Sequence, residues 1–263
     1  MVMASIGADH MNRTILAGDY SAELGALTPR TLPFSFNGLY GYLTGKVTPA
    51  RVLTEAAAAF LMPSLSGDII EIGALRNDFG KYADPSSRYV LSNISEVGDF
   101  FYLDAMNMHL ADDSVDNFVC ISVLEHIPDP FRAVGEMRRT LKKGGKLLLM
   151  VPFLYPFHAD PSDFYRYTDK GLAVMLKGFR IDHAESLGNS FGAVALILQK
   201  PFRSTALDRL RRERRLLYLA KKLVAAPVTM LCRLLGTLFY LLSILARKPS
   251  DYACMYCVVA EKI

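Results

Sequence analysis

The sequence is short of the features that mark secreted or metal-bearing domains. Its four cysteines, Cys120, Cys232, Cys254 and Cys257, are too few and too scattered for a disulfide framework. The pair in "CMYC" has redox-motif spacing, but it lies in a strand-like run with no helix start behind it, which favours two core cysteines. No second cysteine pair supports a zinc site. No long apolar run follows basic residues near the N-terminus, so no signal peptide is expected and the default compartment is the reducing cytoplasm. Glycine is also scarce where it would matter. "DIIEIGALRNDFG", Asp68 to Gly80, looks like a buried strand entering a nucleotide-binding turn, yet it has Gly73 alone where such turns carry two or three glycines.

What is present is apolar and unevenly charged. The 263 residues suffice for one substantial core with a large insertion. Hydrophobic content is 51% and mean hydropathy +0.21, high for a freely soluble enzyme. Net charge is only +4, but Lys200 to Lys248 holds twelve Lys or Arg against two acids. A slightly acidic body therefore carries a basic, apolar C-terminal segment, which points to a membrane surface or an anionic partner.

Residues 1–48 have no long period and read as an irregular N-terminal arm or lid. From residue 49 strands and helices alternate. Thr48 and Pro49 open a helix over "ARVLTEAAAAFLM". "DIIEIG", "RYVLSN", "FFYLDA", "VDNFVCISVL" and "GKLLLMVP" read as apolar strands. "DPFRAVGEMRRTL" reads as a helix with Phe131, Val134, Met137 and Leu141 on one face, stopped by "KKGG". "DKGLAVMLKG" is a further helix, and "FRIDHAESL" and "YACMYCVVAEK" are further strands. The rhythm predicts an α/β fold: a doubly wound, mostly parallel, seven-stranded Rossmann-like sheet with a helical, apolar insertion before the last strand. The core then spans 49–188, the insertion 189–250 and the final strand 251–263.

In such sheets ligands bind beyond the strands' carboxyl ends. Those ends carry Glu71 and Gly73, then Asn93 at 22 positions past Glu71, then Asp104, then "SVLEHIPDP". A glycine permits a tight turn, a following helix start would offer free N–H groups, and a strand-end polar side chain can bind a ribose or an amine.

These stretches, "DIIEIGA", "YVLSNIS" and "LDAMNMHLADDSVDNFVCISVLEHIPDPFRAVGEMRRTLKKGGKLLLMVPF", resemble the class I S-adenosylmethionine-dependent methyltransferases of the type-11 group, over about Gly67 to Ile181. The resemblance implies S-adenosyl-L-methionine as cofactor. It places Glu71 at the methionine end, Gly73 and Ala74 in the loop, Asn93 at the ribose hydroxyls, Asp104 and Ala105 at the adenine, and Ser122 and Val123 beneath the cofactor. Three positions depart from the family. Leu75 and Asn77 stand where second and third glycines are usual, and Asn93 replaces an acid, losing about 1 kcal/mol of charge-assisted grip. The expectation is a weakened loop that still binds cofactor.

The loop Pro152 to Thr168, "PFLYPFHADPSDFYRYT", faces the transferring methyl group. Methyl transfer to a hydroxyl needs a proton acceptor, for which His158 is the candidate, with Asp160 and Asp163 to orient it and Arg166 to hold an anionic group. The alternative is a packed, aromatic-rich loop. Some quinone O-methyltransferases hold a metal with an acid three residues before "EH". Here Ser122 takes that place, so Glu125 and His126 alone predict no metal site.

The insertion holds "RLRRERRLLYLAKK" and then "LVAAPVTMLCRLLGTLFYLLSIL". The apolar run is long enough to span a bilayer, but a final strand in the sheet forbids a single crossing. Residues 203–246 therefore either lie on the cytoplasmic membrane face, return as a hairpin, or form a protein cap or homodimer interface. The basic stretch lacks the interleaved aromatics of a stacking platform, so nucleic acid is not an expected partner. The acceptor is expected to be a small molecule, lipid-linked or soluble, and the rival to an enzyme is a methyltransferase-like binding module.

Overall fold

A computed structural model describes residue 24 and residues 27–95, 100–158, 161–199, 215–246 and 252–263, with the backbone alone over 215–225. Eight strands share one sheet: β1 (Thr28–Arg30), β2 (Asp68–Ile72), β3 (Arg88–Asn93), β4 (Phe101–Tyr102), β5 (Val115–Ile121), β6 (Leu141–Pro152), β7 (Phe179–Leu187) and β8 (Met255–Lys262). Their order is β1-β7-β8-β6-β5-β2-β3-β4. Every pairing is parallel except those of β8, which runs antiparallel between β6 and β7. From β2 the chain moves out through β3 to β4, then returns to lay β5 on the other side of β2. The order therefore reverses between β2 and β5, which makes the crevice beyond their carboxyl ends the expected ligand site.

Among the described residues six helices flank the sheet: α1 (Phe36–Leu43), α2 (Pro49–Leu61), α3 (Pro130–Thr140), α4 (Asp169–Met175), α5 (Ser190–Gln199) and α6 (Arg215–Leu245). Alternate strand residues feed two cores. Phe118, Cys120, Leu147, Leu149 and Val151 pack with Val134, Met137 and Leu172 of α3 and α4. Val119, Leu148, Met150, Cys257 and Val259 pack on the other face with Leu53, Ala57, Ala193 and Tyr240. Each such buried aliphatic stabilises the fold by about 1.5–3 kcal/mol. Burial on both faces is why these strands read as unbroken apolar runs.

Several expectations change. The eighth strand, β1, comes from the N-terminal arm and pairs with the edge strand β7, where Arg30 forms a bidentate pair with Glu185 at 2.6 and 2.7 Å. The arm also holds α1, capped by Ser35. Phe131 is 57% exposed; the buried face of α3 is Ala133, Val134, Met137 and Thr140. "KKGG" follows the helix, whose C-cap is Leu141, but lies inside β6 and not in a loop. Leu141 is already extended, and between the pairs Val115–Leu141 and Asn117–Lys146 the register slips, so the two glycines absorb a bulge. No helix follows Gly73, because the crossover to β3 contains only the short 3-10 turn Gly80–Tyr82.

Between β7 and β8 lie α5 and α6. Along α6 the buried positions are Gly236, Tyr240 and Ser243, one stripe at helical spacing. The Tyr240 ring sits 4.8 Å from that of Tyr42 on α1, and Asn189 donates to the carbonyls of Ser243 and Ala246 at the helix end. The outward face carries Met230, Leu231, Leu234, Leu238 and Leu245, all more than half exposed. The residues 200–214, with most of the arginine cluster, lie outside the described residues.

Candidate active site

At the reversal point the two strand ends meet through backbone. Gly73 has φ +71, and a Cβ there would stand 2.8 and 2.9 Å from the two methyls of Val123. Strand ends β2 and β5 thus approach closely because position 73 has no side chain. Across the crevice Ser122 takes φ +54, an uncommon conformation for a residue with a side chain. Its N–H donates to the Met150 carbonyl at 2.8 Å, which fixes the turn at the end of β5.

Glu71, one residue from the end of β2, is 6% exposed and accepts from the Tyr89 hydroxyl at 2.8 Å. Burial pushes its carboxyl up to about 7, against the stabilising Tyr89 hydrogen bond. Asn93, at the end of β3, does not offer a free amide. Its Nδ2 donates to the Ala74 carbonyl at 2.8 Å, while Oδ1 accepts from the N–H and the hydroxyl of Ser95, each at 2.9 Å. An aspartate could not donate to Ala74. Asparagine here anchors a loop that lacks both the later glycines and the usual helix. Leu75 needs no left-handed conformation, since Asp113 and Ser122 are the only non-glycine residues with positive φ among those described. Its side chain is 75% exposed. Asn77 accepts from the Gly80 N–H at 3.0 Å, which closes the turn.

The adjacent strand end is tied in through the Leu103 N–H, which donates to the Asn93 carbonyl at 3.0 Å. Asp104 follows, with Oδ1 accepting from the Met106 N–H at 2.8 Å, and Ala105 is buried beside it.

The loop after β6 folds back onto the end of β5. The Phe164 N–H donates to the Glu125 carbonyl at 2.7 Å, and the buried Tyr167 hydroxyl donates to the Leu124 carbonyl at 2.7 Å. His158 then stands over the "LEH" turn, its ring 4.9 Å from that of His126. Asp163 accepts from the His158 N–H at 2.8 Å and receives a two-pronged bond from Arg166 at 2.5 and 2.7 Å. That guanidinium holds the Asp163 carboxyl down at about 2. Arg166 also donates to the carbonyls of Tyr155, Pro156 and Tyr165, so it clamps the loop instead of presenting a free cation. Burial lowers the His158 imidazole from its ordinary value. Glu125 is fully buried, which pushes its carboxyl up to about 7. The buried Cys120 thiol is raised further by the nearby carboxylates of Glu125 and Glu71, which ties the two halves of the site together.

The structure thus gathers Glu71, Gly73, Ala74, Asn93, Ser122 and Val123 at the crevice, with Asp104 and Ala105 on the next strand end, and joins His158, Asp163 and Arg166 in one loop. Asp160 lies outside the described residues. Sequence reasoning missed Tyr89, Ser92 and Tyr167. Ser92 donates to the Glu71 carbonyl at 2.7 Å. A tyrosine and a serine on an otherwise apolar strand were the available signal.

Residues 81–149 match the family described as a methyltransferase domain. A curated relative, the ubiquinone/menaquinone biosynthesis C-methyltransferase UbiE of Haemophilus ducreyi, is 32% identical over 98 residues, 36% of this chain and 38% of that protein. An uncharacterized methyltransferase of Mycolicibacterium paratuberculosis is 27% identical over 117 residues, 43% of this chain and 45% of its own length. The chain therefore spans less than half the length of the curated relatives it matches. Among solved structures, the [4+2]-cyclase SpnF aligns over 98% of this chain and 94% of its own, at 14% identity and a TM-score of 0.53. Strand order and matched domain together define the fold of the class I S-adenosylmethionine-dependent methyltransferases. The chain carries a matched methyltransferase domain within that fold.

Proposed function

We propose that this protein is an S-adenosylmethionine-dependent methyltransferase that methylates an oxygen of a glycan, a lipid-linked molecule or another membrane-associated acceptor. The fold alone does not carry this, since a cyclase shares it. The observation that does is the switch point between β2 and β5, where Gly73 stands against Val123 with no room for a side chain and the buried Glu71 lies two residues before it. Glu71 is suited to the cofactor's ammonium group and Asp104 to its adenine amine. Proton removal from the acceptor falls to the Glu125, His126 and His158 cluster, which sits at the root of the loop over that crevice.

Titration calorimetry of the purified protein with S-adenosylmethionine and S-adenosylhomocysteine tests this. Micromolar binding is expected, lost in Asp104→Ala. Binding should also depend on pH. In the free protein burial raises Glu71 to about 7. A bound ammonium favours the ionised carboxylate and lowers that value, so affinity is full above pH 7 and falls below it. From pH 8 to pH 6 the Kd should rise about tenfold, and Glu71→Gln should flatten the slope. Folded protein that binds neither ligand would support the rival non-catalytic module, which the fully engaged Asn93 favours.

The membrane part rests on α6. Ala226–Leu245 is apolar and long enough to cross a bilayer, but β8 follows it into the middle of the sheet and Tyr240 is buried against α1. We propose that α6 lies in the plane of the cytoplasmic membrane face with its leucines down, helped by the adjoining basic sequence. Flotation with anionic liposomes should carry the protein, and Leu234→Glu with Leu238→Glu should abolish it. A soluble dimer that ignores liposomes would instead make this face a subunit interface and favour a soluble metabolite.

A further inference from the structure

Glu125, His126 and His158 come from two separate segments, and the arrangement of their acceptor atoms is unusual. The Glu125 side chain is 1% exposed, and neither carboxylate oxygen has a hydrogen-bond partner among the described residues. A buried carboxylate with no partner in a native fold requires an explanation such as an ion. His126 Nδ1 lies 2.5 Å from the Ser162 carbonyl, and His158 Nδ1 lies 3.2 Å from the Pro156 carbonyl. A carbonyl only accepts, so each ring places its hydrogen on Nδ1 and leaves a lone pair on Nε2. Both Nε2 atoms turn toward Glu125 Oε1, at 3.9 and 3.8 Å, too far for hydrogen bonds. Three electron-rich atoms therefore surround one point with nothing positive between them.

We propose that Glu125, His126 and His158 form a binding site for a divalent transition-metal ion, with zinc as the best-matched species. All three ligand atoms lie within 4.8 Å of one another. Zinc distances of about 2.0–2.2 Å place ligand atoms roughly 3.0–3.6 Å apart, so closure needs side-chain shifts of an ångström or less. Two imidazoles and a carboxylate suit zinc, iron or manganese, whereas magnesium and calcium prefer oxygen shells. The Ser162 and Pro156 carbonyls supply the outer support that metal-bound histidines usually have, and Asp163 stands 3.4 Å from His158 Nδ1. Three protein ligands leave further coordination positions for water or an acceptor hydroxyl. Sequence spacing hid the site, because His158 lies 32 positions past His126 and is returned by the loop. The inference does not depend on methyl transfer, and with the ion bound the two Nε2 lone pairs are ligands in place of the proton acceptors proposed above.

The test uses the full chain, stripped with a chelator and titrated with zinc by calorimetry, and with cobalt by visible absorption. One equivalent should bind, and cobalt should give a ligand-field band. Glu125→Gln and His158→Gln should each weaken zinc at least tenfold and remove the band, while Cys232→Ser leaves both intact. His158 lies on the loop, so its variant keeps the test open if Glu125→Gln fails to fold. Absence of saturable zinc binding, or unchanged affinity in a folded His158→Gln protein, would overturn the site.

Discussion

Gly73→Ala is expected to lower stability by about 2–5 kcal/mol and to weaken cofactor binding at least tenfold. Two separate terms add. The left-handed conformation at φ +71 costs a residue with a Cβ about 1–2 kcal/mol. The new methyl would also stand 2.8 and 2.9 Å from the Val123 methyls, an overpacking that costs about 1–3 kcal/mol. In a chain of this size the thermal midpoint should fall by roughly 4–9 °C. A double-mutant cycle separates the terms. Val123→Ala in the same chain removes the clash but not the strain, so it should restore about half of the loss. If Gly73→Ala melts with the wild type, the two strand ends do not meet as described and the crevice is wider. If stability falls but affinity holds, the glycine serves packing alone.

That glycine was legible in the sequence because its constraint is local: a strand, a sharp turn, one residue without a side chain. The same holds for β2 and β3, whose apolar runs mark their extents, and for α2, whose Thr48 cap and Pro49 are read directly. The failures share a different cause. β1 is three residues including a proline, and it exists as a strand because Arg30 meets Glu185 across 155 positions. Phe131 fits the apolar phase of α3, but the sheet meets that helix along Ala133, Val134 and Met137. Asn93 looked like a weakened ribose ligand; its bonds to Ala74 and Ser95 exist only once the loop has its shape. His158 was a candidate base by chemistry alone, and its meeting with Glu125 and His126 belongs to the loop's return path. Pattern and capping carry the scaffold. Contacts set by tertiary return do not show in either.

Arg166→Ala should be the most damaging single change in the loop after β6, at about 3–5 kcal/mol. The reason is what remains. Asp163 is 1% exposed, and Arg166 supplies both strong partners of its carboxylate. Removing the guanidinium leaves a buried charge facing only the His158 N–H and imidazole, and breaking a buried pair from one side costs about that much. The same substitution frees the carbonyls of Tyr155, Pro156 and Tyr165, so the loop loses its internal brace. Asp163→Asn in the Arg166→Ala background removes the stranded charge and should recover 1–2 kcal/mol, although the brace stays lost. Urea unfolding of the four proteins measures this directly. A loss below 1 kcal/mol in Arg166→Ala would place Asp163 in contact with water and leave Arg166 free to act on an acceptor. A loss of the expected size makes Arg166 a support for His158, and any fall in activity then follows from the histidine's displacement.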